Sequence, residues 1–305
     1  AHTQPSLAIA AEAARYLKSR IGFDCEDLLA ESDSDPADVV RFIERKYLGH
    51  CDYISAASEC MARQLATAYD VTTPLVLYNV TSTGLADKLP SPNQRPHSAA
   101  LRLHWFGQTI GNGRGLEDVF EALKLLATEK VELHLRGRVA FDFQSEIDRL
   151  KARQDIGEKV FIHPIVSPSE LIRTMDQFDI GLSLERPDHG NYSLAATNKL
   201  FSYILGGLGV AATDTPGHRE VFEQAPTIGF LYQAGQPETL AAKLRELILD
   251  KQALSLLQKN AWDVARKKFC WDVEKQKLLD VVGRTRNDSV HLIQQEPVLG
   301  AATVN

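Results

Sequence analysis

The feature that most constrains the fold of this chain is a strand–loop–helix–strand pattern between residues 179 and 213. Apolar runs at 179–184 and 209–213 indicate buried parallel strands, and between them lie a polar loop and a helix that starts near Thr197. This order places the loop and the helix start at the carboxyl end of the sheet, where open α/β folds bind ligands. A helix start offers unpaired N–H groups and the positive end of its dipole, and both favour phosphate. The pattern therefore predicts a site for a phosphate-bearing small molecule.

Helical and strand patterns alternate over most of the chain, which predicts parallel sheets. The alternation covers residues 1–80 and restarts at residue 101, where about six apolar runs are separated by helical patterns, as in a doubly wound fold. Residues 81–99 are rich in Ser, Pro and Gly and indicate a linker. We therefore expect a first domain at 1–85, a linker at 86–99, a second domain at 100–270, a helix at 271–285 and a tail with little pattern at 286–305. The opening residues, Ala1 to Pro5, resemble the end of a strand that leads into a helix, so we expect the first domain to be incomplete.

The composition argues against several classes of protein. The formal net charge of −6 and the lack of any Lys/Arg block argue against a general nucleic-acid binder. The four cysteines, Cys25, Cys51, Cys60 and Cys270, form no CxxC pair. Neither a zinc site nor a disulfide framework is therefore expected, and a reducing cytoplasm is the expected location. No apolar run reaches the roughly 18 residues that a membrane span needs.

A glycine-rich stretch at 107–115 follows the first apolar run of the second domain. We expect a loop there, in which Gly107 and Gly113 let the backbone approach a ligand closely. The stretch matches neither GxGxxG nor GxxxxGK[ST], which argues against a nicotinamide site and a Walker-type loop. Arg114 is explained equally well as a phosphate contact and as an exposed turn residue.

Thr197, Asn198 and Lys199 combine a helix cap with a cation. At such a helix start, backbone N–H groups bind diphosphate oxygens while the lysine neutralises their charge. Taken alone, an ordinary capped helix with a solvated lysine is the better explanation. Arg114, on a neighbouring loop of the same sheet edge, favours a phosphate site.

Two further polar stretches have an open interpretation. The loop 188–192, with His189, Gly190 and Asn191, suits either sugar hydroxyls or an ordinary surface loop. Glu26 and Asp27 follow a strand of the first domain and would face the cleft if the two sheets face each other. Otherwise they are a pair of solvated carboxylates.

Residues 198–222, NKLFSYILGGLGVAATDTPGHREVF, resemble the core of GT-B glycosyltransferases of the family 4 or group 1 type. Four further segments support the resemblance, 44–79, 105–126, 131–138 and 161–184, and together they extend it over most of residues 20–285. The resemblance implies an α/β fold with two facing Rossmann-like parallel-sheet domains. The first would bind an acceptor hydroxyl and the second a nucleotide sugar, and a helix after Trp271 would cross back to the first domain.

The resemblance also implies roles for individual residues. Arg114 and Lys199 would stabilise the departing diphosphate, and Glu26 and Asp27 are the catalytic candidates on the acceptor side. The implied donor-binding residues are Gly107 and Gly113 at the phosphates, Thr197 and Asn198 at the helix start, Pro164 and Val166 at the base, and His189, Gly190 and Asn191 at the sugar. Ser202 stands where the family has a glutamate that binds the donor ribose. A hydroxyl cannot accept the pair of hydrogen bonds that a carboxylate can.

The implied function is transfer of a sugar from a UDP or GDP sugar to the hydroxyl of a glycan or small-molecule acceptor, with retention of configuration. No cofactor and no metal are expected, because no DxD-type acidic pair stands in the donor half. The alternative, suggested by Ser202, is a non-catalytic nucleotide-sugar-binding or partner subunit with a decayed donor site. Nucleic acid is not an expected partner, whereas peripheral membrane association and homo-oligomer formation both stay open.

Overall fold

The computed structural model of the protein describes residues 1–31, 36–96, 98–188 and 190–294, with side chains as far as residue 285. In this part of the chain nine strands form two parallel sheets and alternate with helices. The smaller unit consists of α1 (Gln4–Leu17), β1 (Gly22–Cys25), α2 (Ala37–Tyr47), β2 (Tyr53–Ala56), α3 (Glu59–Tyr69) and β3 (Leu75–Val76). The larger unit consists of β4 (Leu101–Ile110), α4 (Leu116–Leu125), β5 (Val131–Val139), α5 (Gln144–Lys151), β6 (Val160–His163), α6 (Pro168–Arg173), β7 (Ile180–Ser183), α7 (Gly190–Leu194), α8 (Asn198–Leu205), β8 (Gly209–Thr213), α9 (Pro216–Gln224), β9 (Gly229–Tyr232), α10 (Pro237–Leu249) and α11 (Lys251–Lys267), and α12 (Trp271–Gln294) follows.

The smaller sheet has the order β1-β2-β3 within the described ranges, and its strands are parallel. Phe23 of β1 and Ile54 of β2 are buried in one apolar cluster with residues of α1 and α3. Burying an apolar side chain of this size contributes about 1.5–3 kcal/mol. Ahead of α1, His2 pairs in parallel with Asp24 of β1, as a strand end that leads into a helix would.

The larger sheet has the order β6-β5-β4-β7-β8-β9 among the described residues, and all of its strands are parallel. The order reverses between β4 and β7, which is the switch point of a doubly wound sheet. β7 and β8, the two apolar runs on which the fold prediction began, are buried along their whole length, as strands covered on both faces are. The predicted α/β class with parallel sheets is confirmed.

Two strands extend further than the sequence predicts. β4 continues through Ile110, so Gly107 lies within a strand and not in the expected loop 107–115, and β5 continues to Val139. The carboxyl-terminal parts of β4 and β5 pair with each other, and the register of this pairing shifts between Phe106 and Thr109. A Cβ atom at Gly137 would lie 2.7 Å from the carbonyl oxygen of Gly107, so this close pairing requires glycine. Because the pairing joins distant segments of the chain, no local pattern signals it.

Two segments expected to lack regular structure are helical. α7 forms inside the expected loop at 188–192, and α12 continues to Gln294, past its predicted end at residue 285. Residues 295–305 of the predicted tail lie outside the described residues. The start of α12 rests on the segment after β3, where the Trp271 N–H donates to the Thr81 carbonyl oxygen at 3.1 Å. None of the described helices is both long and apolar enough to span a bilayer.

The carboxyl end of the smaller sheet is in direct contact with α7 and α9 of the larger unit. The hydroxyl of Ser58, which follows β2, donates to the Leu194 carbonyl oxygen at 2.6 Å. The carboxylate of Glu220 accepts hydrogen bonds from the backbone N–H groups of Glu59 and Cys60 at 3.1 and 3.0 Å. A carboxylate at the start of α3 also interacts favourably with the helix dipole. These contacts set the position of the smaller unit against the carboxyl edge of the larger sheet.

Candidate functional site

A cavity of about 420 Å³ lies at the carboxyl edge of the larger sheet, where the strand order reverses. It is bounded by the second half of β4, the end of β5, the loop after β6, α7 and the start of α8. Its lining among the described residues comprises Trp105, Phe106, Gly107, Gln108, Thr109, Arg114, Arg136, Ile165, Val166, Leu171, Tyr192, Asn198 and Lys199. Both its position and its volume are those of a small-molecule site in a doubly wound sheet.

The sheet topology brings together several residues that the sequence singled out. The residues of this set that line the cavity are Gly107, Arg114, Val166, Asn198 and Lys199. Pro164 lies beside them, because Nη1 of Arg136 donates to its carbonyl oxygen at 3.0 Å. Segments far apart in the chain thus converge on one space.

The start of α8 faces the cavity through Asn198 and Lys199. Thr197 precedes the helix with extended backbone, but its side chain makes no capping hydrogen bond. Its Oγ1 lies instead 3.0 Å from Oγ of Ser183. Since Thr197 leaves the first-turn N–H groups uncapped, these groups and the helix dipole are available to an anion.

Three cationic side chains of the described residues line the cavity, those of Arg114, Arg136 and Lys199. Arg114 is exposed on the turn before α4, whereas Arg136 is buried and its Nε has no hydrogen-bond partner in the described part of the chain. Burial lowers the pKa of Arg136, because removing a guanidinium from water disfavours its charge. A guanidinium at the wall of a cavity is well suited to bind an anion.

Lys199 belongs to a buried polar network below the cavity. Its Nζ donates to Oε1 of Glu185 at 2.6 Å, and Oε2 of the same carboxylate lies 3.2 Å from Nε2 of the fully buried His218. Burial alone would raise the pKa of Glu185, but the charge of Lys199 and the hydrogen bond to His218 outweigh it. The pKa of Glu185 therefore lies well below its usual range, and the carboxylate is ionised.

α7 places its residues differently from the predicted loop. Asn191 is buried, with Oδ1 accepting from the Leu28 N–H at 2.7 Å and Nδ2 donating to Oδ1 of Asp27 at 2.7 Å. Its neighbour Tyr192 lines the cavity instead. Successive residues of a helix point in different directions, so α7 directs one residue to the smaller unit and the next to the cavity. Neither Asn191 nor Gly190 is among the lining residues, so their role at the sugar stays a prediction, and Asp27 lies at the contact between the units.

The remaining predicted residues lie elsewhere. Glu26 borders a separate cavity of about 230 Å³ with Asp24 and Trp271, where it accepts a hydrogen bond from Asn79. Gly113 has a φ of 70° on the turn before α4, and Ser202 is half-buried on α8, and neither is among the lining residues. His189 lies outside the described residues.

Sequence reasoning missed several residues of this site. They are Trp105, Phe106, Gln108, Thr109, Arg136, Leu171, Glu185 and His218. A usable signal existed for Glu185 and Arg136, because each directly follows a predicted apolar strand and so falls at the ligand-binding edge. Gln108 and Thr109 gave no such signal, since the half of β4 that holds them exists only through its pairing with β5.

No group of three or more His, Cys, Asp and Glu side chains is arranged to hold a metal ion in the described part of the chain. The cavity lining instead combines cationic and amide side chains, those of Arg114, Arg136, Lys199 and Asn198, with apolar ones, those of Ile165 and Val166. This combination suits a ligand with an anionic part and a flat or apolar part.

Two Rossmann-like parallel-sheet units in one chain, with a cavity at the switch point of the second, constitute the GT-B architecture. The chain has this fold, which confirms the fold that the resemblance implied.

Comparison with solved structures agrees with this fold at low sequence identity. The chain is similar to HepE of Anabaena, solved with UDP, with a TM-score of 0.71 and 18% identity over 92% of this chain and 77% of that one. It is also similar to sucrose-phosphate synthase from Thermosynechococcus elongatus, with a TM-score of 0.76 and 13% identity over 94% and 73% of the two chains. A glycosyltransferase from Rickettsia africae gives a TM-score of 0.65 and 15% identity over 92% and 81%. No protein-family model and no curated protein sequence matches the chain.

Proposed function

We propose that the protein transfers a sugar from a nucleoside diphosphate sugar, of UDP or GDP type, to an acceptor hydroxyl with retention of configuration. The observation that carries the proposal is the cavity at the switch point, where Arg114, Arg136, Lys199 and the start of α8 surround one space. A diphosphate requires this concentration of positive charge and N–H donors. HepE of Anabaena, a protein of the same fold, is solved in complex with UDP, which supports a nucleotide as the ligand.

The donor would lie across the cavity with its diphosphate at the start of α8. Lys199, Arg114 and the first-turn N–H groups would bind the phosphate oxygens. The backbone of residues 164–166 would meet the base, and Arg136 holds that loop through the Pro164 carbonyl oxygen. Tyr192 on α7 would then lie at the sugar end of the donor, on the side of the smaller unit.

Catalysis would rest on stabilisation of the leaving group. No carboxylate or imidazole of the described residues lines the cavity, so we assign no general base there. The bond between the anomeric carbon and the diphosphate oxygen breaks while the acceptor oxygen bonds to the same face of the sugar. The acceptor proton passes to the departing diphosphate, whose charge Arg114, Lys199 and the α8 N–H groups stabilise.

The acceptor, a glycan or small molecule, would approach from the smaller unit. We assign residues 1–85 to the acceptor side, 86–99 to a linker and 100–270 to the donor domain. The helix from Trp271 would return to the first domain, with which Asp272 makes contact through the Thr83 N–H at 2.9 Å. Glu26 and Asp27 remain candidates for the acceptor side, although neither lines the donor cavity.

A non-catalytic nucleotide-sugar-binding subunit is the second candidate. The observation that favours it is Ser202, which offers no carboxylate to the donor ribose and is not among the residues that line the cavity. This candidate shares the diphosphate site with the first but lacks turnover.

A donor-hydrolysis time course separates the two candidates. The intact protein is incubated with UDP-, GDP- and ADP-sugars, and proton NMR follows free sugar and its anomeric form. The transferase proposal predicts slow release from one donor, with the retained anomer appearing before mutarotation. Release of the inverted anomer first would contradict retention. Binding without turnover of any donor would favour the subunit, and absence of binding would contradict both.

A further inference from the structure

Glu185 is a buried carboxylate whose two oxygens are both engaged. Its side chain is 7% exposed, and Oε1 accepts from Nζ of Lys199 at 2.6 Å. Oε2 accepts from the hydroxyl of Ser183 at 2.8 Å and lies 3.2 Å from Nε2 of His218. A carboxylate held on both oxygens has little freedom to rotate.

His218 helps to hold the Glu185 carboxylate in place. Its ring is fully buried, and Nδ1 lies 2.7 Å from the carbonyl oxygen of Thr213. A carbonyl oxygen can only accept a hydrogen bond, so Nδ1 carries a proton and the orientation of the ring is fixed. The fixed ring directs Nε2 at Ser183 and Glu185, at 3.0 and 3.2 Å.

The fixed carboxylate of Glu185 affects the cavity through its contact with Lys199. A lysine ammonium has three N–H donors, and Glu185 takes one of them, which leaves two for a ligand. The Lys199 side chain is 21% exposed and lines the cavity, so these two donors remain accessible. A flexible lysine stem would otherwise lose much of its freedom on binding a phosphate, and fixing it beforehand removes that cost.

We propose that Glu185 is a positioning residue, which Ser183 and His218 hold in place and which fixes the Lys199 ammonium at the cavity wall for the donor diphosphate. This inference rests on the proposed function, because the anion that Lys199 meets is the diphosphate of that donor.

A purely electrostatic role for Glu185 has the opposite consequence. A negative charge beside a diphosphate repels it, so removing the carboxylate would then tighten binding. Positioning and repulsion therefore predict opposite signs for the same substitution.

The test measures the Kd of UDP and GDP by isothermal titration calorimetry for the intact protein and its variants. Glu185→Ala removes both the charge and the acceptor, and Glu185→Gln keeps an oxygen acceptor for Lys199. Positioning predicts that Glu185→Ala weakens binding about tenfold or more and that Glu185→Gln stays within about threefold of wild type. Tighter binding in both variants would overturn the inference.

A double-mutant cycle with Lys199→Ala shows whether Glu185 acts through Lys199. In the Lys199→Ala background, Glu185→Ala is expected to change Kd by less than about twofold. An equal loss of nucleotide affinity in both backgrounds would mean that Glu185 has only a general structural role. That result would overturn the inference. Failure of folded wild-type protein to bind either nucleotide would instead contradict the proposed function itself.

Two further variants keep the test valid if Glu185→Ala folds poorly. Glu274 is a matched control, a 2% exposed carboxylate paired with Lys277 at 2.7 Å and not among the lining residues. Glu274→Ala is expected to lower the melting temperature without changing Kd. Ser183→Ala, which removes one hydrogen bond to Oε2, is expected to weaken UDP or GDP binding by about two- to fivefold in the wild-type background only. No weakening by Ser183→Ala in a folded protein would contradict the inference.

Discussion

Lys199 is the residue on which the donor-site proposal depends most, since it joins the start of α8, the cavity and Glu185. Replacing it by alanine removes a charged hydrogen bond to the diphosphate. We expect UDP or GDP binding by Lys199→Ala to weaken by about 1–3 kcal/mol in calorimetry. Lys124→Ala is the control, because Lys124 pairs with Glu121 on α4 and is not among the lining residues. Unchanged affinity in Lys199→Ala would remove Lys199 as a phosphate ligand.

Arg136 and Arg138 form a matched pair on β5. Arg136 is buried and its guanidinium lines the cavity, whereas Arg138 is exposed and is not a lining residue. We expect Arg136→Ala to weaken nucleotide binding about tenfold, the effect of one charged hydrogen bond, and Arg138→Ala to change it less than about twofold. Calorimetric Kd values and melting temperatures of both variants check this. Equal effects of the two substitutions would show that only the overall charge matters.

At the scale of elements, α7 serves both units, because Tyr192 lines the cavity while Asn191 bonds to the Leu28 N–H and to Asp27. Asn191→Ala leaves a buried N–H without a partner. We expect it to lower the free energy of unfolding by about 1–3 kcal/mol in urea titrations, with little change in nucleotide Kd. Asn112→Ala, on the exposed turn before α4, is the control and should leave stability unchanged. If Asn191→Ala instead loses affinity for the sugar nucleotide while its stability is unchanged, Asn191 contacts the sugar.

The start of α12 is attached to the segment after β3 by Asp272. Its carboxylate accepts hydrogen bonds from the backbone N–H and hydroxyl of Thr83, which lower the pKa of Asp272 to about 2. A carboxyl with a depressed folded-state pKa stabilises the fold above its unfolded pKa of about 3.9, and this contribution is lost as the pH falls through the folded pKa.

The difference in stability between Asp272→Asn and wild type should therefore depend on pH. The variant should melt below wild type at pH 6, and the difference should shrink steadily as the pH falls from about 5 to about 2. Melting temperatures of both proteins, measured side by side across this pH range, test this expectation. A difference that stays constant with pH would contradict the assignment.

The sequence predicted the elements whose signal is local. β7, β8 and the start of α8 follow from apolar runs and a cap residue, and they lie where that pattern placed them. The extended halves of β4 and β5 could not be predicted in this way, because each half exists only through its pairing with the other. α7 likewise depends on its contact with the smaller unit through Asn191, a contact between segments far apart in the chain.

For the whole molecule, the cavity at the switch point and the contact between the two units are adjacent, since α7 takes part in both. This arrangement would bring an acceptor held by the smaller unit to the sugar end of the donor. The residues of the cavity could be predicted in part, because Arg114 lies in the glycine-rich stretch after a strand and Asn198 and Lys199 lie at a helix start. Their place on one sheet edge was also predicted, whereas the full outline of the cavity depends on the order of all six strands of the larger sheet in the described residues.

The most direct test of the central claim is calorimetric titration of the intact, cooperatively melting protein with UDP and GDP. We expect one nucleotide to bind at a single site, with affinity that falls about 5- to 150-fold in Lys199→Ala and is preserved in Arg138→Ala. No binding of either nucleotide, or binding that Lys199→Ala leaves unchanged, would contradict the assignment of this cavity to a nucleoside diphosphate sugar.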